Sequence, residues 1–158
     1  VSLLPEFCKK LPEGNVIVVP NADLTAYENK IRTFREKDKN ASSGTAIRMR
    51  TDHKSWLIQF NTLSMRAKYQ GRWKVYARLR IVPAGRVQLG LYDAAHKKNT
   101  SKFFNIGNSY TYFHLGTFDA STTKPYFFCA PSGDIKSKNI YFDHLILVKE
   151  LNKSHLSK

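Results

Sequence analysis

Acidic residues are scarce in this chain: 12 Asp and Glu stand against 26 Lys and Arg in 158 residues, a formal net charge of +14. That field disfavours cationic partners and favours polyanions, whether nucleic acid, an anionic membrane surface or an acidic polysaccharide. Cysteine is nearly absent. Cys8 and Cys129 form no disulfide framework, and whether the two are linked stays open at this level. Neither lies in a C-x-x-C pair, and the five histidines share no H-x-H or H-E-x-x-H spacing, which argues against zinc. Glycine-rich phosphate-binding signatures are missing too. No apolar run approaches the ~18 residues of a membrane span. The opening VSLLPEF lacks the charged and long apolar parts of a secretory signal, and its missing Met suggests a mature form or a module cut from a longer protein. Long helical periodicity is also wanting. TAYENKIRTFREK, residues 25–37, is the only helix candidate, and it reads equally well as a loop or an irregular strand.

What the chain has instead is strand pattern. GNVIVVP (14–20), GTAIRMR (44–50), SWLIQFN (55–61), WKVYARLRIV (73–82), RVQLGLYD (86–93), SYTYFHLGTFD (109–119), KPYFFCAP (124–131) and NIYFDHLILVKE (139–150) are apolar or alternating. Turn-rich clusters separate them: KDKNASSG, PAG, AAHKKNTS, DASTTKP and PSGDIKSKN. Short strands without intervening helices predict an all-β fold, a two-sheet antiparallel β-sandwich of jelly-roll type. The length suits one domain over residues 1–158, with its core at about 14–150 and frayed termini.

In a strand, successive side chains point to opposite faces. In RWKVYARLRIV, Trp73, Val75, Ala77, Leu79 and Ile81 therefore face one way, and Lys74, Tyr76, Arg78 and Arg80 the other. GTAIRMR likewise turns Ile47 and Met49 inward and Arg48 and Arg50 outward. Gln88 and Tyr92 share an outward face, as do Tyr112 and His114. A guanidinium donates paired hydrogen bonds to carboxylate or sulfate, and an aromatic face can stack on a sugar ring, so a cation-plus-ring face suits an acidic glycan. The competing reading is an ordinary solvated sheet face, where Lys and Arg blunt edges and cover apolar surface. Loop ends supply a second group of candidates. Asp52, His53, Lys54 and Trp56 lie near one turn, and Tyr92, His96, Lys97, Lys98 and Asn99 near another, with Tyr110 at a later strand. Trp56 shares its parity with Ile58 and Phe60 and reads better as core.

For catalysis one needs converging acids or a nucleophile with its base. Here the acids are scattered: Glu36 and Asp38 sit in a charged turn, and Asp93, Asp119 and Asp134 fall at strand ends. His144 reads as a partly buried strand residue. No enzyme is expected.

NADL (21–24), NASSGTAIRM (40–49), WKVYARLRI, LGLYD (89–93) and NIYFDHLILV (139–148), in that order, resemble the galactose-binding-like β-sandwich modules found beside bacterial glycan-active enzymes. In those modules an Ala-Ser-x-Gly segment leads into a strand, a W-x-VY-x-R-like strand lies in the core, and an I-Y-x-D strand closes the fold. The resemblance implies a non-catalytic carbohydrate-binding module, extracellular or at the cell surface, whose partners are a polysaccharide or oligosaccharide and a catalytic domain of the same polypeptide. It also implies a structural calcium, held by the positions that match Asn21, Asp23 and Asp143. Shorter side chains replace the family's glutamates at the first two, though an all-oxygen set suits calcium. The expected ligand-binding residues are Arg48, Arg50, Tyr76, Arg78, Arg80, Tyr92, His96, Tyr112 and His114. The alternatives are an accessory sandwich that packs on a catalytic domain without a ligand of its own, and a nucleic-acid binder. The latter lacks any RRM, KH, OB or zinc-finger signature.

Overall fold

The computed structural model describes residues 4–26, 33–50, 55–60, 71–93, 97–119, 125–130 and 139–150. A single helical turn, α1 (Glu6–Lys9), precedes β1 (Val16–Pro20), and a 3-10 turn over Asn21–Asp23 leads into β2 (Leu24–Ala26). There follow β3 (Thr33–Lys37), β4 (Thr45–Arg50), β5 (Ser55–Phe60), β6 (Arg72–Val82), β7 (Gly85–Asp93), β8 (Lys98–Ile106), β9 (Thr111–Asp119), β10 (Pro125–Ala130) and β11 (Asn139–Lys149). One sheet runs β3-β4-β11-β6-β9 with β1 also on β11, the other β2-β5-β10-β7-β8. The pairings are antiparallel. This is the expected two-sheet β-sandwich. No helix among the described residues is long and apolar enough to cross a membrane.

The eight expected strands are present, and β2, β3 and β8 are additional. The described parts of 25–37 are strand, because β3 finds a five-residue register along β4, from Thr33↔Met49 to Lys37↔Thr45. Strand β8 contains the KNTS that reads as a turn. As an edge strand it pairs on one side only, with β7, so its sequence carries little apolar signal.

The core follows the alternation. Trp73, Val75, Ala77, Leu79 and Ile81 are all at most 2 % exposed, and they meet Val87, Leu89 and Leu91 of β7 and Ile106 of β8 across the sandwich. Register shifts break the period in places. In β11 the register shifts between Phe142 and His144, so Phe142 and Leu145 both enter the core, while His144 turns to the outer face opposite Arg78. Asp143 is the inserted residue. At this point β11 also exchanges neighbours, pairing with β4 through Phe142 and with β1 from His144 onward.

The outer face of the β6–β11–β9 region is partly covered by the chain's own start. Cys8 packs with Ile146 and Val148, and Leu4, Leu11, Val16, Tyr76 and Tyr112 close around them. The Phe7 ring lies 5.3 Å from that of Tyr76. Cys8 is buried with a free thiol, which answers the question of its linkage.

Candidate functional site

The outward residues of β3, β4, β11 and β6 form one row across the sheet, because the register sets Phe34 opposite Arg48, Arg48 opposite Tyr141, and Tyr141 opposite Arg80. The guanidinium of Arg48 lies 4.1 Å over the Phe34 ring, and that of Arg80 4.0 Å over Tyr141 and 5.3 Å from the Tyr110 ring. Cation–π stacking of this kind orders both partners. The expected arginines thus share an outer face, as their parity requires, but most of their charge meets internal partners. Arg80 donates to Asp38 at 2.8 Å, and the Tyr110 hydroxyl donates to the same carboxylate at 2.7 Å. Arg48 pairs with Glu36 at 3.5 Å. Arg78 binds Asp143, with side-chain exposures of 14 % and 1 %.

Asp143 is the hub of a buried network. Its carboxylate accepts from the Ser42 backbone N–H at 3.0 Å and from the Ser42 hydroxyl at 2.8 Å, besides Arg78. His144 Nδ1 stands 3.2 Å from it, and His144 Nε2 is 2.7 Å from the Tyr112 hydroxyl. Burial alone would raise the Asp143 pKa, but the hydrogen bonds from His144, Ser42 and Arg78 outweigh it and hold the pKa at about 2. Asp38 follows the same logic: desolvation opposes ionisation, and the bonds from Arg80, Tyr110 and the Asn40 N–H lower its pKa regardless. Burial raises Tyr112 to about 12, so it stays a neutral hydroxyl.

Ser42, His144 and Asp143 are the residue types of a hydrolytic triad, yet their bonds run in the wrong order. A working imidazole bridges the hydroxyl on one nitrogen and the carboxylate on the other. Here Nδ1 faces both Ser42 and Asp143 while Nε2 is taken by Tyr112, and the serine hydroxyl bonds directly to the acid. The cluster is built to hold β11 to β6 and to the turn before β4.

The calcium expectation can be tested on the same atoms. The Asn21 amide donates to the carbonyls of Thr45 at 2.8 Å and Asp143 at 2.9 Å, satisfying an oxygen that the β11 bulge leaves without a strand partner. The Asp143 carboxylate is neutralised by Arg78, and Asp23 is exposed. Beside them the Arg35 guanidinium donates to the carbonyls of Asn21, at 2.9 Å, and Leu24. A divalent ion between Asn21, Asp23 and Asp143 would have to displace Arg78 from the Asp143 carboxylate and compete with Arg35 for the main-chain carbonyls of Asn21 and Leu24. No cluster of three or more His, Cys, Asp or Glu suited to a metal occurs among the described residues.

A different surface is open. On the second sheet, Arg86, Gln88 and Tyr92 of β7 point outward beside Asn105, Phe103 and Asn99 of β8, which face them in register. Phe103 is 48 % exposed, and the Arg86 guanidinium lies 4.3 Å over its ring. Gln88 Nε2 donates to the Ser101 hydroxyl at 3.0 Å. An apolar ring with a guanidinium over one face and amides and hydroxyls beside it can take a pyranose against its other face while those polar groups hydrogen-bond the sugar's edge.

Of the sequence candidates, then, Arg48, Arg78 and Arg80 stack on rings or form ion pairs. Tyr76 and Tyr112 pack beneath the N-terminal segment, and Arg50 ends β4. Tyr92 lies on the open face of the other sheet. His114 sits at the β9 edge, its ring 4.9 Å from and nearly parallel to that of Tyr76. His96, Asp52, His53 and Lys54 lie outside the described residues, and Trp56 is placed on β5 by its backbone. Phe103, Arg86 and Ser101 are additions. The double Phe in KFFNI, one ring in and one out, is the signal that could have found them.

Comparison with known proteins agrees on architecture. The CBM36-1 domain of a multidomain xylanase from the hindgut metagenome of Trinervitermes trinervoides superposes with a TM-score of 0.51 at 10% identity, covering 87% of this chain and 100% of that one. A family 35 carbohydrate-binding module from Clostridium thermocellum gives 0.50 at 14% identity, over 85% and 98%. The family 11 module of the cellulosomal cellulase Lic26A-Cel5E, also from Clostridium thermocellum, gives 0.50 at 10% identity, over 89% and 98%. The fold is that of a carbohydrate-binding-module β-sandwich. No family model matches the sequence, and no curated protein matches it.

Proposed function

We propose that this chain is a non-catalytic carbohydrate-binding module that acts outside the cell as part of a glycan-processing protein and takes an anionic polysaccharide as its ligand. The observation that carries this reading is the half-exposed Phe103 under the Arg86 guanidinium, set among Gln88, Tyr92, Asn99, Ser101 and Asn105 on an outward sheet face. A ring held in water at that exposure forgoes about 1 kcal/mol or more of burial, a cost recovered when a ligand covers it. The fold supports the reading, and so does the network around Asp143, which closes the Ser42–His144–Asp143 cluster to nucleophilic chemistry. The net charge of +14 supports an acidic ligand through long-range attraction.

Affinity electrophoresis over neutral and acidic polysaccharides tests it. Retardation by at least one glycan is expected, weakened about tenfold by Phe103→Ala with the thermal unfolding midpoint unchanged. Folded protein that no glycan retards would refute the reading and favour an accessory domain that packs on a neighbour.

A further inference from the structure

The open side of the sandwich, between edge strands β8 and β9, holds a cleft of about 290 Å³ whose lining includes Arg72, Lys98, Thr100, Lys102, His114 and Gly116. Its chemistry departs from the core beside it. Along β8 the inward positions continue outward from Ile106 and Phe104 to Lys102, Thr100 and Lys98, so apolar filling gives way to cations where the two sheets part. Gly116 forms part of the cleft wall. Its φ of +152° disfavours a side chain, and a Cβ there would stand 3.5 Å from Thr100 Cγ2.

Three observations point to an anion. No acid is found among the described lining residues. His114 stands in the cleft wall, its ring stacked on Tyr76 and bonded to the Gly116 backbone, and its Nε2 is buried without a hydrogen-bond partner. The charges of Lys102 and Lys74, after desolvation, are what depress the His114 pKa, so both ammonium groups act on the imidazole. Of the other cations, Arg72 is shared with Glu150 at 3.3 Å, and Lys98 sits opposite Asp93 in the register. An inward lysine by itself can simply guard a sheet edge. A guard requires neither a cavity nor the further cations Arg72 and Lys98 along its wall.

We propose that this cleft is an anion subsite that receives the carboxylate or sulfate of an acidic polysaccharide whose sugar rings lie on the adjoining β7–β8 face. Strand β8 joins the two: Ser101 and Phe103 face the platform, and Thr100 and Lys102 face the cleft. A chain crossing this edge can stack on one side and place its charged group on the other. The inference rests on the glycan-binding reading above and adds the site that selects charge.

The test is calorimetric titration of the whole chain at about 0.15 M salt, where long-range steering is largely screened. The probes are oligosaccharides of neutral galactan, sulfated galactan and polygalacturonate. Lys102→Gln is compared with Lys39→Gln, which removes the same charge from the exposed turn before β4, and with Phe103→Ala. The expected result is binding of an acidic oligosaccharide that Lys102→Gln weakens about tenfold and Lys39→Gln leaves unchanged, with His114→Gln behaving like Lys102→Gln. Preference for the sulfated probe or the uronate identifies the group accepted. Equal losses from Lys102→Gln and Lys39→Gln, or none from Lys102→Gln while Phe103→Ala still weakens binding, would overturn the cleft and leave the platform standing. Binding of no probe overturns both.

Discussion

Arg78 on β6 and Asp143 on β11 form an ion pair in which the carboxylate is 1 % exposed and the guanidinium 14 %. Sixty-five residues separate them in the chain, and the contact exists because the β11 bulge delivers Asp143 to this spot.

Removing one partner leaves the other charged and buried. Arg78→Met or Asp143→Asn is therefore expected to destabilise the fold by about 3–5 kcal/mol in urea unfolding. The double variant should lose less than the sum of the two. A single-variant loss under about 1 kcal/mol would mean that the pair is solvated.

Acid should unfold the protein partly through this carboxylate. Its folded pKa, about 2, lies below the roughly 3.9 of an unfolded Asp. Its stabilisation is therefore complete above about pH 5 and lost as pH falls toward 2, an amount of about 2 kcal/mol. Asp38, also held low, adds in the same direction. Urea midpoints measured from pH 7 to pH 2 should fall less steeply in Asp143→Asn than in the parent; parallel curves would contradict the assignment.

Arg35 stands beside the carbonyls of Asn21 and Leu24 as their donor. Millimolar calcium is accordingly expected to move Tm by less than about 1 °C, since a ligand stabilises only what it binds. Arg35→Gln should lower stability by about 1–3 kcal/mol by stripping those oxygens. A clear calcium-dependent rise in Tm of the parent protein would show that an ion can displace the guanidinium.

Cys8 lies between the N-terminal turn and Ile146 and Val148, and burial raises its pKa. A raised pKa and a covered sulfur both suppress thiolate chemistry. Alkylation of Cys8, read by peptide mass, should be slow in the native state and become fast only on unfolding. Rapid native labelling would show that the segment lifts from the sheet.

The strands that alternate cleanly were legible because period-two patterning is local: Trp73 through Ile81 can be assigned to the core without knowing what they touch. Strand β8 was not, since an edge strand with one partner keeps a polar, turn-like composition. The platform around Phe103 was hidden with it. Tyr92 and Gln88 could be placed on an outward face by parity, but nothing local reveals that their face is the open one.

The sequence by itself therefore determined the sandwich, its inward residues and the common face of Arg48, Arg78 and Arg80. Only the tertiary structure decided that acids 65 and 42 residues away neutralise two of those arginines, and that the N-terminal turn covers Tyr76. Side-chain direction follows from adjacent backbone geometry, whereas the partner of a charge depends on which distant segments the sheet register brings alongside it.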